Sequence, residues 1–168
     1  MKKLFLILFL VEPFALIHAQ ISLTITDAPW SYSKKCIERT IPNFISIMEM
    51  SPQNFENEMK RIGASVRVGQ NYCIVAAEQL GSGATLNAPA LIFKKCDDLL
   101  SVDWYGPINS PAVFMNIMED IKNHHLQTID GIRYYGLKYN EKEYTFGFKR
   151  VQENNTIFET MTIWKVKR

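Results

Sequence analysis

The sequence predicts an α+β fold, an antiparallel sheet with helices packed on one face, arranged as a tandem helix–hairpin–strand repeat. Two observations carry this. Ser51-Pro52-Gln53-Asn54-Phe55 recurs 59 residues later as Ser110-Pro111-Ala112-Val113-Phe114, and at the same offset Met59 matches Met118 and Ile62 matches Ile121. After each copy come runs rich in aromatic and β-branched residues bounded by turn formers, the pattern of antiparallel hairpins.

Each Ser-Pro reads as a helix start, with serine capping an orphan N–H and proline losing no helical hydrogen bond at the first position. Phe55, Met59 and Ile62 then share one face, as do Phe114, Met118 and Ile121 with Ile117 beside them. Glu56 and Lys60 form an i,i+4 pair on the solvent side of the first helix. Strand-like runs follow at 64–68, 72–80 and 90–96, then at 132–139, 144–151 and 156–166, with turns expected at Asp130-Gly131 and at residues 140–143. Ahead of the first helix, residues 21–26 alternate as a strand does, while residues 44–50 suit either a short strand or a helix.

Residues 1–19 stand apart. Lys2 and Lys3, the apolar run 4–10, its resumption at 14–17 and a small residue at Ala19 form the pattern of a cleavable export signal. The stretch is too short and interrupted for a stable anchor across about 30 Å of hydrocarbon. Glu12 is an unusual residue for such a segment. Cleavage after Ala19 leaves 149 residues, 17 basic and 16 acidic. That is one α+β domain spanning 20–168: an N-terminal segment (20–50), a first repeat (51–109) and a second (110–168). A charge near +1 offers no footprint for nucleic acid or an anionic membrane.

Cys36, Cys73 and Cys96 remain in the exported chain. Cys73 sits in the apolar run 72–77 and reads as a buried core residue. Cys36 and Cys96 are each flanked by charge, which makes them the expected disulfide.

No catalytic or cofactor motif is evident. His124-His125 lacks an i,i+4 partner for a metal, and cations suit a helix C-terminus. Gly81-Ser82-Gly83 is not a nucleophile elbow. No phosphate-binding glycine pattern occurs. Asp97-Asp98, Glu119-Asp120 and Asp103 read as solvated acids rather than a facing catalytic pair. The reading is therefore no enzyme, no cofactor and no metal. Asn154-Asn155-Thr156 is a sequon in an expected turn.

Helices on one side leave the other face of the sheet to be explained. Both faces of 132–139 and of 156–166 carry large apolar residues, so either residues 20–50 fold across the second face or part of it serves recognition. Trp104-Tyr105, expected at a turn between the repeats, and Trp30 with Tyr32 near the exported N-terminus, are aromatics of the kind that anchor partners. Tyr135 and Tyr139 complete the candidate set. The tandem plan over residues 51–168 resembles the layout of β-lactamase inhibitor proteins and related secreted repeat domains, which implies a concave sheet presented to a protein target. The expected function is an exported protein-binding module, an inhibitor or immunity-type protein acting by surface occlusion. A small-molecule or carbohydrate binder with an aromatic-lined site is the alternative, and a small hydrolase comes third.

Overall fold

A computed structural model describes Leu23 and residues 25–28, 31–79, 90–107 and 112–167. The expected export signal (1–19), Trp30, residues 80–89 and the second Ser-Pro lie outside them. A two-stranded hairpin, β1 (Ile25–Ala28) and β2 (Ser31–Ile37), leads into helices α1 (Ile41–Glu49) and α2 (Pro52–Arg61). Four strands follow: β3 (Ser65–Val68), β4 (Ile74–Gln79), β5 (Ala90–Lys95) and β6 (Leu99–Pro107). After α3 (Met115–Ile121) come four more: β7 (His125–Ile129), β8 (Ile132–Tyr139), β9 (Lys142–Glu153) and β10 (Thr156–Lys165). All eight form one antiparallel sheet in the order β3-β4-β5-β6-β10-β9-β8-β7. Each half is a meander preceded by a helix, and the halves meet at their last strands, β6 and β10.

Local chemistry explains the helices. Pro42 falls in the first turn of α1, where no donor is needed. Four of that helix's buried side chains are apolar: Phe44, Ile45, Ile47 and Met48. The ambiguous segment is thus helical. In α2, the Ser51 hydroxyl accepts from the Asn54 N–H at 3.2 Å. Gly63 closes the helix at φ +83°, with its N–H bonded to the Lys60 carbonyl and that of Ala64 to the Met59 carbonyl. That is a left-handed cap which a side chain at residue 63 would strain. The expected Glu56–Lys60 pair is present at 2.6 Å.

Three strands escape the sequence reading, the first being β2 over residues 31–37. Residues 99–107 form β6, so Trp104-Tyr105 lies inside a strand and not at a turn. Residues 125–129, of which only His125 was given a place, near a helix C-terminus, form β7. The expected turns hold, with positive φ at Asp130, Gly131, Asn140 and Glu141, as tight two-residue hairpins require.

One hydrophobic core exists among the described residues, and every sheet residue in it points the same way. Ile74, Phe93, Val102, Met161 and Phe148 belong to it, together with Phe44, Phe55, Ile117 and Ile121 from the helices. Helix α2 covers β3 and β4, α1 covers β6 and β10, and α3 covers β8. The Phe44 ring packs 6.5 Å from Phe93 and 6.3 Å from Phe114, centroid to centroid. Residues 36–50 therefore pack on the helix side and not across the second face.

The disulfide also differs from expectation. Cys96 pairs with Cys73, and Cys36 is wholly buried in the core. The cause is register: Ile74 lies opposite Lys95, which sets Cys73 opposite Cys96 one step beyond. Lys95, itself buried, donates from Nζ to the carbonyls of Cys96 and of Asp97 (2.8 Å), tying down the same corner. Burial holds the Lys95 ammonium below the usual lysine range, against the pull of Asp97 and Asp98.

Alkylation of the unreduced, denatured chain is expected to label Cys36 alone. A peptide linking Cys36 to Cys96 would contradict the structure. Replacing Cys73 and Cys96 by alanine should lower unfolding stability by about 3 kcal/mol, given the loop that the bridge closes.

Candidate functional site

Alternation along each strand sends half of the sheet's side chains away from the helices. Registers place Tyr105 opposite Phe158, Asp103 opposite Thr160, Ser101 opposite Thr162 and Leu99 opposite Trp164 along the β6–β10 seam. Beyond the seam, Thr162 faces Gly147, and Gly147 faces Tyr134. This second face bears no residue of the core cluster, and no helix packs on it among the described residues. Phe158 is 43% exposed, and Tyr105, Ile92, Tyr134 and Trp164 are half-buried.

The face has two aromatic ends and a polar middle. At one end lie Tyr105 and Phe158. At the other, the Trp164 and Tyr134 rings sit 6.1 Å apart, tilted by 37°. Glycine at 147 makes this second group possible. A Cβ there would come within 3.1 Å of the indole and 3.3 Å of Ile132, so the Trp164 ring lies across bare backbone. Between the two ends, the Thr160 hydroxyl donates to Asp103 at 2.8 Å.

Of the six aromatics singled out from the sequence, only Tyr105 is seen on this face. Trp104, 1% exposed, points into the core and is a packing residue rather than a surface anchor. Tyr135 is buried as well, edge-on to Phe148 and His125. Tyr139 is half-buried on the helix side, packed against the core. Tyr32 lies in β2, and Trp30 is outside the described residues. Sequence reasoning found large apolar residues on both faces of 132–139 and of 156–166 without relating one strand to the other. Without β6 as a strand between the halves, it had no means to join them.

Several ionisable groups weighed for chemistry are engaged with neighbours in the fold. Asp98 pairs with Lys167, and Glu119 with Lys122 at 2.9 Å. The His125 ring contacts the Thr128 hydroxyl at 3.2 Å. Among the described residues, no group of three or more His, Cys, Asp or Glu side chains is placed to hold a metal. Glu49 ends α1 and receives Lys142, Lys165 and the Tyr144 hydroxyl. Burial acts to raise its pKa, but the bonds from Lys142, Tyr144 and Lys165 prevail and leave it below the usual carboxylate range. Burial, followed by the bond to Glu49, raises the Tyr144 hydroxyl.

Glu78 differs from these. It is 5% exposed, accepts the Ile37 N–H at 3.1 Å, and has no hydrogen-bond partner for Oε2. Burial pushes its pKa up to about 7, against the Ile37 N–H bond and the Arg39 charge. Comparison of the chain with protein-family models, with curated proteins and with solved structures returns no match.

Below pH 4.5 Glu78 is protonated in both folded and unfolded chains, and its titration costs nothing. Between 4.5 and about 7 the unfolded chain releases the proton while the folded chain keeps it, so stability falls as pH rises. Glu78→Gln should therefore exceed the wild type by up to about 3 kcal/mol above pH 7, with the gap closing toward pH 4.5. Urea unfolding across that range measures it, and a gap that widens toward acid would refute the assignment. Gly147→Ala should cost about 1 kcal/mol and shift the Trp164 indole N–H resonance. An unmoved resonance would show that the ring does not lie over residue 147.

Proposed function

We propose that the chain is an exported protein-binding module that occludes its partner's surface, in the manner of an inhibitor or immunity-type protein. The observation that carries this reading is the second face of the sheet, which no described helix covers. It presents paired aromatics at two ends with Asp103, Thr160, Ser101 and Thr162 between them. Exposed Tyr, Trp and Phe are side chains that binding surfaces favour. Export is supported by the pattern of residues 1–19 and by the Cys73–Cys96 bridge, which suits an oxidising compartment. No helix among the described residues is long and apolar enough to cross a membrane.

The two helix-plus-meander units are read as a duplication. The offset of 59 residues between the Ser-Pro starts also carries Ile74 to Arg133, Ala90 to Lys149 and Leu99 to Phe158. These shifts take β4 onto β8, β5 onto β9 and β6 onto β10. Duplication joined at the last strands yields one broad sheet, the kind of surface presented by the inhibitor proteins whose layout the sequence resembles.

A carbohydrate binder is the second reading, favoured by the adjacent Trp164 and Tyr134 rings on which a sugar face can stack. Affinity capture from the exported fraction separates the two. Wild type should retain a protein partner, Phe158→Lys should lose it, and Val68→Lys, at the exposed end of β3, should keep it. Equal capture by all three would overturn the proposed surface. Loss of glycan binding in Trp164→Ala, with no protein captured by any form, would favour the carbohydrate reading.

A further inference from the structure

The β1–β2 hairpin meets the rest of the chain at a joint that is independent of the partner-binding reading. We propose that this hairpin is a proton-controlled flap, held down while Glu78 carries its proton and opened locally when Glu78 ionises, with Cys36 uncovered as a result.

The hairpin is suited to move by itself. Among the described residues no strand pairing ties it to the eight-stranded sheet, and its two strands pack chiefly on each other. Its hold is concentrated at the end of β2, where Cys36 and Ile37 are buried in the core. There the Ile37 N–H donates to Glu78 Oε1 at 3.1 Å, bridging to β4 without a ladder. Units held by few contacts open before the whole domain does.

The carboxyl at this joint is poorly matched to its surroundings. Its Oε2 is buried and has no hydrogen-bond partner. One N–H does not replace the water that an ionised carboxylate loses on burial. The neighbouring elements bring little charge to offset that loss. Leu91 lies opposite Glu78 on β5. On α2, which packs against β4, Phe55 and Met59 are the buried side chains, while Glu56 pairs with Lys60 and Glu58 with Arg61. Lys95, the buried cation of β5, is under the influence of Asp97, Asp98, Glu49 and Lys165. Arg39, two residues beyond Ile37, is the charge that acts on Glu78 among the described residues, and burial outweighs it.

Opening relieves the mismatch, because water reaches the carboxylate once the end of β2 lifts. Below pH 4.5 Glu78 is protonated in the closed and the open form, and the flap is at its most secure. Between 4.5 and about 7 the open form releases the proton while the closed form keeps it, so opening grows with pH and levels off above that range. The full rise is about 300-fold in the opening equilibrium.

Cys36 reports the opening directly, since Cys73 and Cys96 are bonded to each other. Its rate of labelling by methyl methanethiosulfonate is measured in the native chain and divided by the rate in the urea-denatured chain at the same pH, which cancels the ionisation of the thiol. In wild type this ratio should rise roughly 70-fold from pH 5 to pH 8, and in Glu78→Gln it should stay level. The opening read from Cys36 should also exceed that read from hydrogen exchange at the Val102 and Met161 amides, in the strands of the β6–β10 seam. Circular dichroism checks that Glu78→Gln folds, and the wild-type profile decides the matter even if it does not. A level ratio in wild type, the same rise in folded Glu78→Gln, or Cys36 opening no more often than the seam would each overturn the proposal.

Discussion

The antiparallel pairing of β6 with β10 is the constraint on which the rest of the structure depends. Its unbroken register, from Thr156 opposite Pro107 to Trp164 opposite Leu99, turns two four-stranded meanders into one sheet. Alternation then sorts the seam. Leu100, Val102, Trp104, Ile157, Met161 and Ile163 enter the core, while Ser101, Asp103, Tyr105, Phe158, Thr160 and Trp164 turn the other way. A slip of one residue would exchange these sets and bury Asp103 beneath the helices. Core and second face are thus two consequences of one register.

Polar groups secure the helices to that sheet at few points. Glu49 fastens the end of α1 to β9 and β10 through Tyr144, Lys142 and Lys165. A carboxylate is unfavourable at a helix C-terminus, and here two ammonium groups offset the macrodipole. Glu159 does the corresponding work at the start of α3, where Phe114 offers no side-chain cap and the carboxylate on β10 accepts the N–H groups instead. Glu78 receives the Ile37 N–H and so holds the end of β2 to β4. Its second oxygen is unmatched, which makes it the costly member of the three.

Much of the fold was legible because local chemistry determines it. Ser51, Pro52 and Gly63 mark both ends of α2, and the residues at Asp130-Gly131 and Asn140-Glu141 mark their hairpins. β6 was obscured by its own composition. Asp103 and Gly106-Pro107 read as turn residues, and pairing with β5 on one side and the distant β10 on the other makes the segment a strand. β7 follows a helix without a break and has no residue in the core, so apolar periodicity could not announce it. The disulfide was illegible for a related reason. The ten residues between β4 and β5 fix no register, and flanking charge is no substitute for geometry. The site was least legible of all, since Tyr105, Phe158, Trp164 and Tyr134 converge only once the seam exists. Glu159 satisfying the start of α3 from 45 and 46 residues away is likewise a tertiary fact.

Helices cover one face of this sheet, and no described helix covers the other. Hydroxyl-radical footprinting of the purified chain reads that difference residue by residue. Rapid oxidation of Phe158, slower oxidation of Tyr105 and Trp164, and protection of Phe93 and Trp104 are expected. Protection of Phe158 to the level of Trp104 would contradict that difference.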